Sequence, residues 1–208
     1  MSQELSIAIE ANTIDRTAAE LVGVPLFEDE RPLRGSAGRA DWRLCGKLSA
    51  LILAGELTGA SGEAALVATF GGLRTPLLLV LGAGQREGYD VRAYEELARE
   101  AIRRALALRV DSLALSFAAD GAGSAAQERR ASGLIAAAAS SLAEVEDGRE
   151  FQLRLLVPRE EATRVTDLLR RARPGKLPEG VALRLPAAGP TAPATPPSGA
   201  PRGQQVVK

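Results

Sequence analysis

The residues of this chain best suited to hold a ligand follow an apolar run at 76–81. They are Gly82, Ala83, Gly84, Arg86, Gly88 and Tyr89. Glycine allows backbone N–H groups to come close to an anion such as a phosphate or a carboxylate. In this interpretation Arg86 pairs with the anion and Tyr89 stacks on a base. The other interpretation is a tight turn that reverses the chain, with Arg86 in solvent and Tyr89 at the rim.

A second glycine loop follows a later apolar run at 112–117. Its candidate ligand-binding residues are Gly121, Gly123 and Ser124. If the two preceding strands are parallel, both loops emerge at the carboxyl edge of the sheet, where open α/β folds usually bind ligands. The first loop is not a dinucleotide fingerprint, because Gly88 lies one residue too far from Gly84 for G-x-G-x-x-G.

The side chains that are missing exclude several chemistries. The chain contains no histidine, which rules out Ser-His and Cys-His nucleophile pairs and the HExxH zinc site. Its only cysteine, Cys45, falls on a predicted apolar helix face and is expected to be a small core residue. The carboxylates at 28–30 could hold a hard cation, but an acidic run of this kind is usually a solvated loop. The sequence predicts no catalytic residue, no metal and no cofactor.

Composition predicts one domain of ordinary size. Of 208 residues, 46% are hydrophobic, and the 26 basic and 26 acidic side chains cancel. A neutral chain without a basic stripe does not favour nucleic acid, and no apolar run has the roughly 20 residues of a membrane span. The amino terminus lacks the pattern of a secretory signal, so we expect a cytoplasmic location. A protein partner, a second copy of the chain or a nucleotide-like small molecule all stay open.

Hydrophobic periodicity predicts alternating strands and helices. Strands are expected at 5–9, 20–27, 64–70, 76–81, 112–117, 151–157 and 181–185. The first alternates apolar and polar residues and is expected at an edge of the sheet. Helices are expected from Asp41 to about residue 55, from Asp90 to 108, at 127–144 and after Pro158. A hairpin should join the third and fourth strands through the glycine pair at 71–72, and a polar loop should fill 28–38.

This order predicts a three-layer α/β/α domain with a mixed, mostly parallel sheet over residues 1–185. Beyond residue 185 the chain is rich in proline and alanine, and no hydrophobic periodicity survives. Residues 186–208 are therefore expected to be a disordered tail, acting as a tether or as a docking segment.

The chain from about 21 to 117 resembles the amino-terminal domain of the M17 leucyl aminopeptidases, which has a macro-domain-like fold. The resemblance is carried by the order of phrases: VGVPLFE at 22–28, LRG at 33–35, the helix at 48–57, GGL at 71–73 and LLLVLGAG at 77–84. The strand and helix at 151–171 look like the closing unit of macro domains. The family's metal-binding phrase, of the Asn-Thr-Asp-Ala-Glu-Gly-Arg type, has no match in this sequence.

The resemblance implies a non-catalytic binding or assembly module, because in that family the metals and catalytic residues lie in a separate carboxy-terminal domain. The alternative that it implies is a macro-domain-like binder or hydrolase of ADP-ribose or a related nucleotide. The two glycine loops favour this alternative.

Overall fold

The computed structural model describes residues 3–116, 124–145, 148–172 and 175–186. Within them lie β1 Gln3–Glu10, β2 Leu21–Phe27, β3 Ala64–Ala68, β4 Leu77–Gly84, β5 Ser112–Ser116, β6 Glu150–Leu156 and β7 Val181–Arg184. The helices there are α1 Gly35–Arg43, α2 Lys47–Leu53, α3 Val91–Ala107, α4 Ser124–Ala143 and α5 Ala162–Arg171. The seven strands lie in the order β3-β4-β2-β5-β6-β1-β7. Only β3 and β4 pair antiparallel; every other neighbouring pair is parallel.

Two hydrophobic cores cover the two faces of this sheet. Alternate residues of β1, such as Leu5 and Ile7, join the core beneath α3, α4 and α5. Alternate residues of β2, such as Val22 and Val24, join the core beneath α1 and α2. Both faces of the sheet are therefore packed by helices, which confirms the predicted three-layer α/β/α architecture with a mostly parallel sheet.

The prediction that the first strand lies at an edge is wrong. β1 pairs with β6 on one side and with β7 on the other. The alternation of apolar and polar residues in β1 does not reflect exposure to solvent at an edge. It arises because one face of β1 carries charged side chains that form ion pairs with side chains of the adjacent strands. Arg154 Nη1 lies 2.5 Å from Glu10 Oε1, and Arg184 Nη2 lies 3.0 Å from Glu4 Oε1.

The single helix predicted from Asp41 is instead two helices. The chain breaks between α1 and α2, where Cys45 and Gly46 have φ angles of 55° and 82°. Asp41 lies inside α1, and its carboxylate accepts hydrogen bonds from Ser49 N–H at 2.9 Å and Ser49 Oγ at 2.5 Å, so it caps the second helix. Cys45 is exposed in this break, which corrects its expected place in the core. The polar loop is also shorter than expected, since α1 begins at Gly35.

The hairpin and the helix after Asp90 are confirmed. β3 and β4 pair antiparallel, with Leu66 opposite Leu79. Asp90 Oδ1 accepts a hydrogen bond from Ala93 N–H at 3.0 Å at the start of α3. This backbone hydrogen bond is the main reason that the pKa of Asp90 is lowered. The cap and the following 3.6-residue pattern together fix where α3 begins.

Candidate ligand-binding site

A large cavity lies at the carboxyl edge of the sheet. Its volume is about 970 Å³, and its walls come from the segments that follow β1, β2, β4 and β6 and from the first turns of α1 and α3. Parallel strands bring these segments to one edge, which is the usual position of a ligand crevice in an open α/β fold. Charged side chains in the lining are Arg16, Arg34, Arg39, Arg86, Arg159, Glu30 and Glu161. The lining therefore holds more basic than acidic groups.

The floor of the cavity lies between β2 and β5. Within the described residues these strands pair only from Leu21 to Gly23 of β2, and Gly23, Pro25 and Leu115 all line the cavity. Pro25 has no N–H with which to extend a ladder. A Cβ on Gly23 would lie 2.5 Å from Leu115 Cδ2, so only glycine leaves that side chain in place.

One wall is a cluster of aromatic and charged side chains. The rings of Phe27 and Tyr89 meet edge to face, with centroids 5.0 Å apart. The Arg86 guanidinium lies 4.8 Å from the centroid of Phe27, and its Nη1 is 3.4 Å from Glu30 Oε1. Asp29 Oδ1 accepts the Arg86 backbone N–H at 2.9 Å, which ties this wall to the loop after β2. The arrangement offers an aromatic surface beside a guanidinium.

A second part of the cavity wall is basic. Arg39 Nε bonds Asp15 Oδ1 at 2.5 Å, and this contact joins the loop after β1 to α1. Burial raises the pKa of Asp15, but hydrogen bonds from Arg39 and Thr13 outweigh it and lower that pKa to about 2. Arg16 and Arg34 also line the cavity and are exposed. Neither forms an ion pair with a described residue, so their charges are available to an anion.

Beside these arginines lies the amino-terminal end of α1. Gly35 and Ser36 line the cavity, and no side chain caps this helix. The first N–H groups of a helix have no partner within it and carry partial positive charge. Gly35 and Ser36 line the same cavity as Arg16 and Arg34, so the start of the helix and the two guanidinium groups contribute positive charge to the same wall.

Tyr94, on α3, is a buried residue that lines the cavity. Its side chain is 4% exposed, and the Arg130 guanidinium lies 5.5 Å from its ring centroid. Burial raises the pKa of Tyr94 well above its ordinary value, so the hydroxyl stays protonated. Tyr94 therefore presents a neutral, partly apolar surface to whatever occupies the cavity.

The sequence-predicted residues separate into two groups. Arg86 and Tyr89 line the large cavity, whereas Gly82 and Ala83 line a separate space of about 250 Å³. Gly82, Ala83 and Gly84 are the last three residues of β4, not a loop. The Gly82 N–H donates a hydrogen bond to the carbonyl oxygen of Glu63 at 2.7 Å, and the Gly84 N–H donates one to the carbonyl oxygen of Gly59 at 2.9 Å. Those two amides hold the neighbouring turn and are not open to an anion.

The remaining candidates do not reach the cavity or lie outside the described residues. Gly88 ends the 3-10 turn Arg86–Gly88 and lines neither space. Gly121 and Gly123 fall outside the described residues, and Ser124 is the first residue of α4.

Sequence reasoning missed the loop after β1 and the start of α1. No prediction placed the loop at 11–16, which contains Arg16, at the ligand crevice, because β1 is expected from the sequence to be an edge strand. Recognising it as an interior parallel strand would have brought that loop to the same edge as Arg86. The early start of α1 was hidden because Gly35 and Gly38 are poor helix formers.

Within the described residues, the two carboxylates that line the cavity both have arginine partners: Glu30 pairs with Arg86, and Glu161 pairs with Arg164. Among residues 3–116, 124–145, 148–172 and 175–186 no three His, Cys, Asp or Glu side chains are grouped so as to hold a metal ion. None of the helices in the described parts of the chain is both long and apolar enough to cross a bilayer.

Residues 22–147 match the family model described as the cytosol aminopeptidase family, N-terminal domain. The chain belongs to this family. The match confirms the resemblance seen at 21–117 and extends it to α4. No curated protein matches the sequence significantly.

Solved structures show the same fold in whole aminopeptidases and in macrodomains. A mutant of tomato leucine aminopeptidase superposes with a TM-score of 0.59 at 16% identity, over 83% of this chain and 36% of that one. The chain thus spans about a third of the length of the tomato aminopeptidase. A mutant Oceanobacillus iheyensis macrodomain has a TM-score of 0.56 at 13% identity, over 80% and 90% of the two chains. The Trypanosoma brucei macrodomain in complex with ADP-ribose has a TM-score of 0.57 at 13% identity, over 76% and 66%.

Proposed function

We propose that this chain is a non-catalytic binding module whose large cavity takes a phosphate-bearing small molecule of the nucleotide class. The observation that carries the proposal is the electropositive wall of the cavity, where Arg16 and Arg34 flank the uncapped start of α1. Unpaired guanidinium groups and helix N–H groups are the usual ligands of phosphate in proteins.

The aromatic wall supports a nucleotide over a bare anion. Tyr89 and Phe27 offer ring surface on which a base can stack, and Arg86, which also lines the cavity, lies against the Phe27 ring. A volume of about 970 Å³ suits a ligand with both a base and a phosphate.

The ligand that we propose first is ADP-ribose. One of the macrodomains with this fold was solved with ADP-ribose and also with ADP. At identities of 12% and 13% these structures share the fold alone with this chain. The support from this chain's own residues is the pairing of a basic wall with an aromatic one.

Calorimetry tests the proposal. Titration with ADP-ribose and ADP should give saturable heat, and Arg16→Gln with Arg34→Gln should weaken the affinity by at least about tenfold, because charge-assisted hydrogen bonds are lost. Arg99→Gln is the matched control, since Arg99 is an exposed arginine on α3 away from the cavity. Absence of heat with both ligands at millimolar concentration would remove the nucleotide proposal.

The non-catalytic half of the proposal needs a separate assay. We expect no cleavage of leucine-p-nitroanilide in the presence of Mn²⁺ or Zn²⁺, because such chemistry needs a metal site of spaced ligands. Turnover that copurifies with homogeneous protein and disappears with a chelator would show that the module is an enzyme.

We also propose that the protein is cytoplasmic. Its residues 1–185 would form one domain, and residues 186–208 would act as a tether. A lone cysteine suits a reducing compartment. Limited proteolysis should trim the chain to a stable fragment ending near residue 185, and a protease-resistant carboxy terminus would contradict the tether.

A further inference from the structure

One edge of the sheet is formed by β3, a strand without the usual protection against pairing. Within the described residues β3 pairs only with β4. Its sequence, AALVA, has neither a charged residue nor a proline. Edge strands normally carry lysine, proline or a bulge, because an unguarded edge can pair with another strand.

The hydrogen bonds of the hairpin show which backbone groups remain at the outer edge. Gly82 N–H bonds Glu63 O at 2.7 Å, and Thr69 N–H bonds Pro76 O at 3.0 Å. In an antiparallel pair the groups of alternate residues point to the same side. Since Glu63 and Thr69 face β4, the N–H and C=O groups of Ala64, Leu66 and Ala68 point away from it.

We infer that β3 of a second copy of this chain pairs antiparallel with this edge, around a twofold axis at Leu66. In that register Leu66 lies opposite Leu66 of the second copy, and Ala64 lies opposite Ala68. Every outward N–H then faces an outward C=O, so each of these groups finds a partner. The two sheets become one continuous sheet. This inference does not depend on the proposed ligand.

The side chains around β3 support a second copy as the occupant. Leu66 is 46% exposed and Phe70 is 96% exposed, and the pairing covers both. Phe70, just beyond β3, comes over the turn before β3 of the second copy, where Gly62 has open space beside it. An aromatic ring over a glycine of the adjoining chain restores apolar contact that the glycine lacks. No charged side chain within β3 selects a different partner.

Engineered cross-linking tests the register directly. Residues in a hydrogen-bonded antiparallel pair have Cα atoms about 5.5 Å apart, within the range of about 4.4–6.8 Å that a disulfide spans. We expect Cys45→Ser with Leu66→Cys to form a covalent dimer on mild oxidation. Cys45→Ser with Leu108→Cys is the control, because Leu108 is 42% exposed at the end of α3. Equal dimer in the two variants would overturn the register.

Sedimentation velocity tests the dimer in the unmodified chain. We expect a monomer-dimer equilibrium that Leu66→Lys shifts at least about tenfold toward monomer, because like charges then lie directly opposite each other. Leu108→Lys should leave it unchanged. Phe70→Asn, which tolerates the φ of 47° at that position, should weaken the dimer several-fold. A monomer at every concentration, or a dimer that Leu66→Lys does not affect, would reject the inference.

Discussion

Asp15 Oδ1 lies 2.5 Å from Arg39 Nε, and this contact fixes the loop after β1 against the first helix. A second bond, from Arg39 Nη2 to Asp15 Oδ2 at 3.3 Å, makes the pair bidentate. A bidentate pair sets the mutual orientation of the two groups as well as their distance. The pair thereby holds the Arg16 loop and the start of α1, which form the basic wall of the cavity, in fixed relation.

Asp15→Asn should weaken the fold at neutral pH but not in strong acid. The folded-state pKa of Asp15 is lowered from 3.8 to about 2, so its contribution is complete above about pH 4 and is lost as the pH falls toward 2. Thermal melts across that range should show the difference between wild type and Asp15→Asn shrinking as the pH falls. Asp167→Asn, at an exposed position on α5, should show no such trend. A constant difference at all pH values would contradict the assignment.

Gly82→Ala should destabilise the protein, whereas Gly88→Ala should not. A Cβ at Gly82 would lie 1.8 Å from Ala60 O, a backbone atom that cannot move alone. We expect a loss of about 3 kcal/mol, as for other forced overpacking. At Gly88 a Cβ meets nothing within 4 Å, so the melting temperature should stay close to that of wild type. Chemical denaturation compares the two variants, and equal losses would show that the approach of the 59–63 turn is not what requires glycine.

Arg154→Leu should cost more stability than the double change Glu10→Leu with Arg154→Leu. The two side chains are 16% and 9% exposed for Arg154 and Glu10, so removing the arginine leaves a buried carboxylate without its ion-pair partner. Breaking such a pair costs about 3 kcal/mol, while replacing both charges by apolar groups is often neutral. Urea denaturation of both variants tests this. A double variant as weak as the single one would mean that packing, not charge, is lost.

Cys45 should react in the folded protein. It is an exposed thiol in the break between α1 and α2, so Ellman's reagent should modify it without denaturant. Reaction that requires unfolding would restore the core position predicted from helical periodicity. The Cys45→Ser variant supplies the blank.

The parts of the fold predicted correctly are those fixed by local patterns. Asp90 and the apolar period after it define α3, and two β-rich runs around Gly71 and Gly72 define the hairpin. These depend on neighbours in sequence, so they can be derived from the chain alone.

The parts predicted wrongly depend on contacts between distant segments or on local backbone angles that hydrophobic periodicity does not show. β1 looks like an edge strand until β7, at the far end of the chain, pairs with it. The helix predicted from Asp41 breaks because Cys45 and Gly46 adopt positive φ, which periodicity does not reveal. Arg86 and Tyr89 are predicted as ligand-binding candidates because they follow an apolar run directly in the sequence. The basic wall of the same cavity is not predicted, since Arg16 reaches it only once β1 lies beside β6.

Within the part of the chain that the structure describes, Gly23 is the last residue of β2 that pairs with β5, and its missing side chain leaves room for Leu115 in the lining of the cavity. Side chains at the rim can then change over generations without filling this part of the cavity, because the room there comes from the missing Cβ of Gly23 beside Leu115. A lineage that keeps Gly23 and Pro25 keeps the recess, and it is free to exchange what the recess selects. The chemical preference of such a domain should therefore drift faster than its shape.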